Sequence, residues 1–344
     1  MKKYQVVGIG NAMVDVLAKV EDDFLDDNGI EKGIMTLIDT ARATELYGKM
    51  GPAREISGGS AANTIAGLAA LGSRTAYVGK VKDDQLGAIF AHDLRAQGAD
   101  YDTPLAPASH TAETGRCMVL VSPDHERSMN TYLGVTEFLS PDDIDESQMA
   151  DAEWLYLEGY RFDGPDSHAA FAKAIAACKG AGGKISVTLS DPFCVNRHRD
   201  AFRTLIHDHI DLLFCNEHEL KALYETDDLS IAFSLARKDV PMLACTVGAN
   251  GAYAYVDGTD YHDPATASKV MDVTGAGDLF AAGYLHGMVN GRNPISCLRM
   301  GNLAAGEIIS HIGARPEADL KALFGAHGLV SVSYTHLTLP TIYS

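Results

Sequence analysis

The sequence predicts an α/β protein: a doubly wound, mostly parallel sheet with helices on both faces and a small β-sheet beside it. Three observations carry that expectation. Short apolar runs of strand length alternate with helix-periodic segments through most of the 344 residues, the pattern of a parallel sheet covered on both sides. Between about residues 102 and 133 the alternation gives way to two extended runs flanking a turn, Ser122 to Glu126, and strands without helices ask for a second sheet. Small-residue turns, Gly58-Gly59 and Gly275-Ala276-Gly277, open two of the helical runs, as tight strand-to-helix crossings require.

In chain order, Gln5 to Gly10 is an apolar run ending in glycine, a buried strand. Met13 to Val20 continues with rough alternation and Ile34 to Ile38 is a further short apolar run, so both are candidate strands of the small sheet. Helical periods follow at Ala41 to Lys49, Ala61 to Leu71 and Gln85 to Gln97, with a strand at Thr75 to Val78. Thr114 to Val121 and Arg127 to Leu133 form the hairpin. Strands then recur at Trp154 to Leu157, Lys184 to Leu189, Leu212 to Asn216 and Pro241 to Val247, and Ala252 to Val256 starts another hairpin. Helices lie between them at Ser167 to Ala181, Ala201 to His207, Glu217 to Tyr224 and Ser230 to Lys238. The last helices are Asp278 to Asn290, Pro294 to His311 and Glu317 to Leu323. One domain is expected over residues 1–328, with a β lid from about 12–38 and 102–135. Residues 329–344 contain no Lys, Arg, Asp or Glu; an edge strand is one reading, and a non-native or disordered tail is the favoured one.

Composition excludes several classes. An apolar fraction of 46% fills a core. A net charge of −18 argues against nucleic acid and against anionic membranes, yet leaves room for phosphate ligands held by backbone N–H groups or a metal ion. Six scattered cysteines with no C-x-x-C spacing suggest reduced thiols in a cytoplasmic protein. The apolar run after Lys2-Lys3 is cut by Asn11 and Asp15 too early for a signal peptide, and no stretch has the length of a membrane span. Gly8-Ile9-Gly10-Asn11-Ala12-Met13 begins like a dinucleotide fingerprint, but Met13 stands where Gly or Ala is needed and a strand follows. No G-x-x-x-x-G-K-[ST] is present.

The richest stretch is Asp272-Val273-Thr274-Gly275-Ala276-Gly277-Asp278. A helix start has free N–H groups and the positive end of the peptide dipole. Gly275, Ala276 and Gly277 leave an anion unobstructed access to them, and Asp278 sits at the same place. An anion hole beside a carboxylate suits phosphoryl transfer to a hydroxyl: the amides stabilise the transferred group and the carboxylate accepts the hydroxyl proton. An Asp N-cap on a Gly-rich turn would read the same way.

Together with Gly58-Gly59-Ser60-Ala61-Ala62-Asn63, that turn resembles the two signatures of the ribokinase-like (pfkB) family of carbohydrate and nucleoside kinases, over roughly residues 4 to 325. The resemblance implies a three-layer αβα fold with a β-sheet lid over the substrate site, ATP and Mg2+ as cofactors and, in many relatives, a monovalent cation such as K+. It implies a small-molecule acceptor and either a monomer or a homodimer. Asn11 and Asp15 follow the first strand at the end where open α/β sheets bind ligands, and an amide and a carboxylate there suit sugar hydroxyls; the resemblance gives Asp15 that role. Gly58, Gly59 and Asn63 match the substrate-binding turn, although small residues at a helix start also serve tight packing. Asn216 and Glu219 match the N-x-x-E motif near metal and phosphates, and Glu219 is read as holding a Mg2+-bound water. Thr246, Gly248 and Gly251 resemble the nucleotide-binding turn, and Asn302 is a further candidate for the nucleotide pocket. Asp272, with carbonyls from about Ile312 to Ala314, would lie near a monovalent cation.

Within the family, Asp23-Phe24-Leu25-Asp26, Leu189-Ser190-Asp191-Pro192-Phe193 and Thr114-Gly115-Arg116-Cys117 are most similar to adenosine kinases, whereas Ser60-Ala61-Ala62-Asn63 is closer to the sugar-kinase turn. The expected activity is ATP-dependent phosphorylation of a primary hydroxyl of a nucleoside, adenosine to AMP. The alternatives are a sugar kinase for ribose, fructose or 2-keto-3-deoxygluconate, or a non-catalytic binding protein on the same fold. A purine would want an aromatic surface, for which Tyr160 and Phe162 are the candidates.

Overall fold

The structure is a computed structural model and describes residues 1–329 apart from His125 and Ala267. The expectation for the tail therefore falls, beyond Leu329, outside the described residues.

The strands are β1 Tyr4–Ile9, β2 Met13–Lys19, β3 Met35–Leu37, β4 Arg54–Gly58, β5 Thr75–Val78, β6 Gly115–Val121 and β7 Arg127–Tyr132, then β8 Ala152–Glu158, β9 Lys184–Thr188, β10 Leu212–Asn216, β11 Met242–Thr246, β12 Ala252–Val256 and β13 Thr259–Asp263. The large sheet runs β13-β12-β11-β10-β9-β8-β1-β5. Its pairs are parallel from β5 to β11 and antiparallel across the closing hairpin β11-β12-β13. Strands such as β1 and β5 are buried along their whole length, which is why they read as continuous apolar runs and not as alternating ones.

Helices cover both faces. On one side α5 Glu146–Ala150, α6 Ser167–Gly180, α7 Pro192–His209, α8 Glu217–Tyr224 and α9 Leu229–Asp239 close over Val7, Leu155, Val187, Leu213 and Leu243. On the other, α3 Ser60–Ala70, α4 Gln85–Ala96, α10 Ala276–Val289, α11 Pro294–Ile308 and α12 Leu320–Ala326 close over Val6, Tyr77, Tyr156, Phe214 and Ala244. The doubly wound sheet is as expected. Helix α7 begins earlier than the apolar period suggests, because Asp191 caps it by accepting from the Cys194 N–H, and it bends at His198. No helix among the described residues is long and apolar enough to cross a membrane.

The second sheet has the order β3-β7-β6-β2-β4. Four of these strands were legible as extended runs; β4, with exposed charged residues at Arg54 and Glu55, was not. Period-two alternation gives the sheet two different faces. Met118, Leu120 and Ala18 face outward, where α1 Asp22–Asp27 and α2 Thr40–Lys49 cover them with Leu25, Ala43 and Leu46. Met13, Cys117, Val119 and Val121 form the other face, with Leu17, Met129 and Leu133 packed against them.

Candidate active site

A cavity of about 840 Å3 lies between that second face and the carboxyl ends of the central strands, the position where open α/β sheets bind ligands. Its two walls differ chemically. The small sheet and its hairpin contribute Met13, Met35, Leu37, Cys117, Met129 and Leu133, with Asp15, Asp124, Glu126, Arg127 and Thr131 as the polar groups beside them. The floor contributes Asn11, Gly59, Ser60, Asn63, Glu158 and Asp278. Asp15 belongs to the small-sheet wall, on the inward face of β2 between Met13 and Leu17, and its carboxylate has room there because Gly58 on the paired strand β4 has no side chain. A Cβ at Gly58 would fall 2.4 Å from the Asp15 carboxylate.

The Gly275–Asp278 turn opens α10. Gly275 has φ 78°, a left-handed conformation that a side chain disfavours, and a Cβ there would meet Ala314 at 2.9 Å. The Ala276 N–H turns back to the Val273 carbonyl at 3.2 Å. The amides of Gly275, Gly277 and Asp278 have no protein acceptor among the described residues, and the space a Cβ of Gly277 would enter is open. Three amides of the turn are thus free to take an anion, while the Ala276 amide is engaged within the turn.

Asp278 accepts from the Ser60 hydroxyl at 2.6 Å on one oxygen and from Asn63 Nδ2 at 2.9 Å on the other. Burial raises its pKa to about 6, against these two hydrogen bonds and the positive charge of Arg315. Asp15 is raised by burial to about 7, opposed by Arg315 and Arg127. Arg315 is itself anchored beneath the site, donating to the Ala62 carbonyl at 2.8 Å and the Ser57 carbonyl at 3.2 Å. Glu158, at the end of β8, accepts from the Ala61 N–H at 2.8 Å and the Asn11 N–H at 3.3 Å, and burial raises it to about 7. It ties the two acceptor-side segments to a third strand.

At the other end of the cavity lie Asn216, Glu219 and Thr246. Asn216 caps α8, and the Glu219 carboxylate returns the bond to the Asn216 N–H at 2.9 Å and its Nδ2 at 2.6 Å, a capping box. Burial raises Glu219 to about 7, and the charges bearing on it, Asp191 and Asp278, are acidic. A buried carboxylate among acids, with lone pairs left over and a face on the cavity, fits a hydrated divalent cation that arrives with phosphates.

Asp272, the residue expected near a monovalent cation, is hydrogen-bonded on both carboxylate oxygens. One oxygen accepts from the Thr274 N–H at 2.9 Å, and the other from the Gly313 N–H at 2.8 Å and from the Arg127 guanidinium. Arg127 also donates to the Thr274 hydroxyl at 2.7 Å. Arg127 thus joins β7 of the small sheet to the Asp272–Thr274 segment.

Four other expected residues stand outside the cavity wall. Gly58 acts through Asp15. Gly248 and Gly251 have φ of 55° and 85° in the turn after β11, where Gly251 passes against the Asp263 carbonyl. Asn302 is buried and donates to Asp263 at 3.0 Å and to the Pro264 carbonyl at 3.2 Å, which leaves no donor for a nucleotide. Of the two aromatic candidates, Tyr160 lines the cavity; Phe162 is core, stacked on Phe202 with ring centroids 4.1 Å apart. The sequence reading missed Glu158, Ser60, Arg127 and Arg315. Glu158 was within reach, since it ends an apolar strand at the same sheet edge as Asn11; the arginines carry no local signal.

The profile of the pfkB family carbohydrate kinases matches residues 33–320. A probable sugar kinase from Rhizobium etli is 44% identical, with TM-score 0.92 over 96% of this chain and 100% of that one. The adenosine kinase from Sinorhizobium meliloti is also 44% identical, with TM-score 0.90 over 95% and 100%. The ATP-dependent ribose-1-phosphate kinase of Halopiger xanaduensis is 31% identical, covering 79% of this chain and 87% of its own.

Proposed function

Because this chain belongs to the pfkB family of carbohydrate kinases, we propose that it transfers the γ-phosphoryl group of ATP to a primary hydroxyl of a nucleoside, adenosine being the acceptor and AMP the product. The observation that carries the nucleoside reading is the cluster of apolar side chains that the small sheet presents to the cavity. A ribose has hydroxyls for Asn11, Asp15 and the Asp278 end of the floor. A bare sugar would leave Met13, Met35, Leu37, Cys117, Met129 and Leu133 facing water, whereas a purine ring covers them. Methionines adapt to a flat ring, and each sulfur–aromatic contact contributes about 0.3–1.5 kcal/mol.

The acceptor hydroxyl lies against Asp278. As its oxygen bonds to the γ-phosphorus and the bond to the ADP oxygen breaks, Asp278 takes the hydroxyl proton. Ser60 and Asn63 hold the carboxylate in place for that transfer. The free amides of Gly275, Gly277 and Asp278 stabilise the charge of the transferred group. Mg2+ accompanying ATP neutralises phosphate charge, and Glu219 is the residue that would hold its water shell. Thr246 lies at the phosphate end of the cavity.

The test is ATP-dependent phosphorylation across adenosine, guanosine, inosine, ribose, fructose and 2-keto-3-deoxygluconate. Turnover of adenosine far above the sugars supports the reading. Preference for a sugar moves the acceptor while leaving the transfer machinery as described. No turnover with any of them, together with intact ATP binding, would turn the protein into a binding protein and sink the proposal.

A further inference from the structure

Arg161 lies in the 3-10 turn Gly159–Asp163 after β8 and is 1% exposed. A guanidinium is always charged and only donates, so burying one requires a set of acceptors around it. One of its terminal nitrogens donates to Asn11 Oδ1 at 2.9 Å and to the Thr136 carbonyl at 2.6 Å. The other donates to Ser167 Oγ at 2.8 Å and to the Leu139 carbonyl at 3.3 Å. The fit is tight: a Cβ at Gly164 would lie 2.9 Å from the guanidinium and 2.7 Å from Ser167 Oγ.

Two consequences follow from those partners. Because arginine has no acceptor, the Asn11 atom it touches must be the oxygen, and the Asn11 –NH2 is left without a protein acceptor among the described residues, on a side chain that lines the cavity. The side chains around it are mostly carboxyl groups or donors already committed within the protein. Asp15, Glu158 and Asp278 are carboxylates, and the Ser60 hydroxyl and Asn63 Nδ2 are both committed to Asp278. Asn11 therefore offers the pocket a neutral side-chain donor that no described residue occupies. The same guanidinium also holds the points where the chain passes between the main sheet and the lid. Asn11 and Ala12 lead from β1 into β2, Thr136 and Leu139 lead back from β7, and Thr136 Oγ1 accepts from the Ala12 N–H at 3.0 Å.

We propose that Arg161 is a positioning residue that locks the Asn11 amide with its –NH2 toward the acceptor substrate and ties that amide to the root of the lid. The substrate group it selects is one with an oxygen lone pair, a sugar hydroxyl or ring oxygen. The kinetic part of this inference rests on the kinase reading above; the lid-root part does not.

The test is a double-mutant cycle in the full-length protein, with Arg161→Met, Asn11→Ala and the double variant, assayed with adenosine and with ribose while KM for ATP is followed separately. Arg161→Met is expected to raise the acceptor KM about tenfold, the worth of a buried hydrogen bond left unmade, with KM for ATP unchanged. In the Asn11→Ala background the same change should add less than about twofold, since there is no amide left to orient. Equal factors in both backgrounds, or acceptor and ATP constants that move together, would show a plain structural staple and overturn the proposal. Arg161→Lys, which reaches one acceptor but not the whole set, should be intermediate, and it replaces Arg161→Met in the cycle if that variant does not fold. Hydrogen exchange on the ligand-free protein separates this inference from the kinase reading. With Arg161→Lys the Ala12 amide and residues 134–139 should exchange faster while Leu279 does not change. Unchanged exchange at Ala12 overturns the lid-root tie even if no acceptor is turned over.

Discussion

Asn63 and Asp278, 215 residues apart in sequence, are joined by a 2.9 Å hydrogen bond from the Asn63 amide to one carboxylate oxygen. The other oxygen takes the Ser60 hydroxyl. Both donors come from the start of α3, so the N-terminal glycine turn and the C-terminal anion hole are one unit. With one donor on each oxygen the carboxylate is held in one orientation, and a lone pair on each oxygen stays free for a further donor.

Replacing Asp278 by Asn should preserve the fold and abolish the proton acceptor. We expect kcat to fall by about 10²–10⁴, with KM for ATP little changed and a melting temperature no lower than that of the parent. Near-normal turnover would remove Asp278 from the mechanism.

Asp278 is raised by burial to about 6, and only its ionised form accepts a proton. The kcat/KM profile for the acceptor should therefore rise with pH through an acid limb near 6. A profile flat from pH 5 to 8 would contradict the assignment.

Asp15, Glu158 and Glu219 are each raised to about 7. Carboxyls whose folded pKa lies above the unfolded value bind more protons in the native state. Their contribution to stability is full below pH 4 and is lost as pH climbs through 7. His286, lowered to about 4 by burial, opposes this below its ordinary range. Between pH 8 and 6.5 the carboxyls prevail, and the ligand-free protein should gain on the order of 2 °C in melting temperature on acidification. A loss over that interval would show that the buried acids are not the controlling groups.

Arg127 bonds to Asp272 and Thr274 from the lid strand β7. Arg127→Leu leaves Asp272 buried with two backbone donors and no cation. The expected cost is about 3–5 kcal/mol of stability, read by denaturant unfolding, together with a lower kcat/KM for the acceptor. A loss below 1 kcal/mol would mean that the pair does not hold the lid down.

Leu37 is 43% exposed at the rim of the lid face. Leu37→Asn should therefore leave stability almost unchanged while it raises the nucleoside KM several-fold, about 1 kcal/mol of lost apolar contact, with no effect on KM for ATP. Equal KM values for adenosine in parent and variant would argue against a base lying on the lid.

The order of strands and helices, the two-layered cover of the sheet, four strands of the lid and the Gly275–Asp278 turn were all legible in the sequence. Each is written locally: apolar period reports which side of a segment is buried, and glycine reports where the backbone turns or approaches closely. What only the tertiary structure decided is which distant side chains meet. Nothing in the sequence says that Asp272 meets Arg127, that the Asn302 amide is taken by Asp263, or that Phe162 stacks on Phe202. Arg161 and Arg315 look in sequence like any solvated arginine. Arg161 is buried and Arg315 partly buried because segments more than a hundred residues apart close around them, and Asn11 and Ser57 carry no mark of the guanidinium each will accept. A window of sequence measures the free energy of burying one segment; the pairing of buried polar groups is set by how the sheet edges and the lid come together, and that is a property of the folded chain.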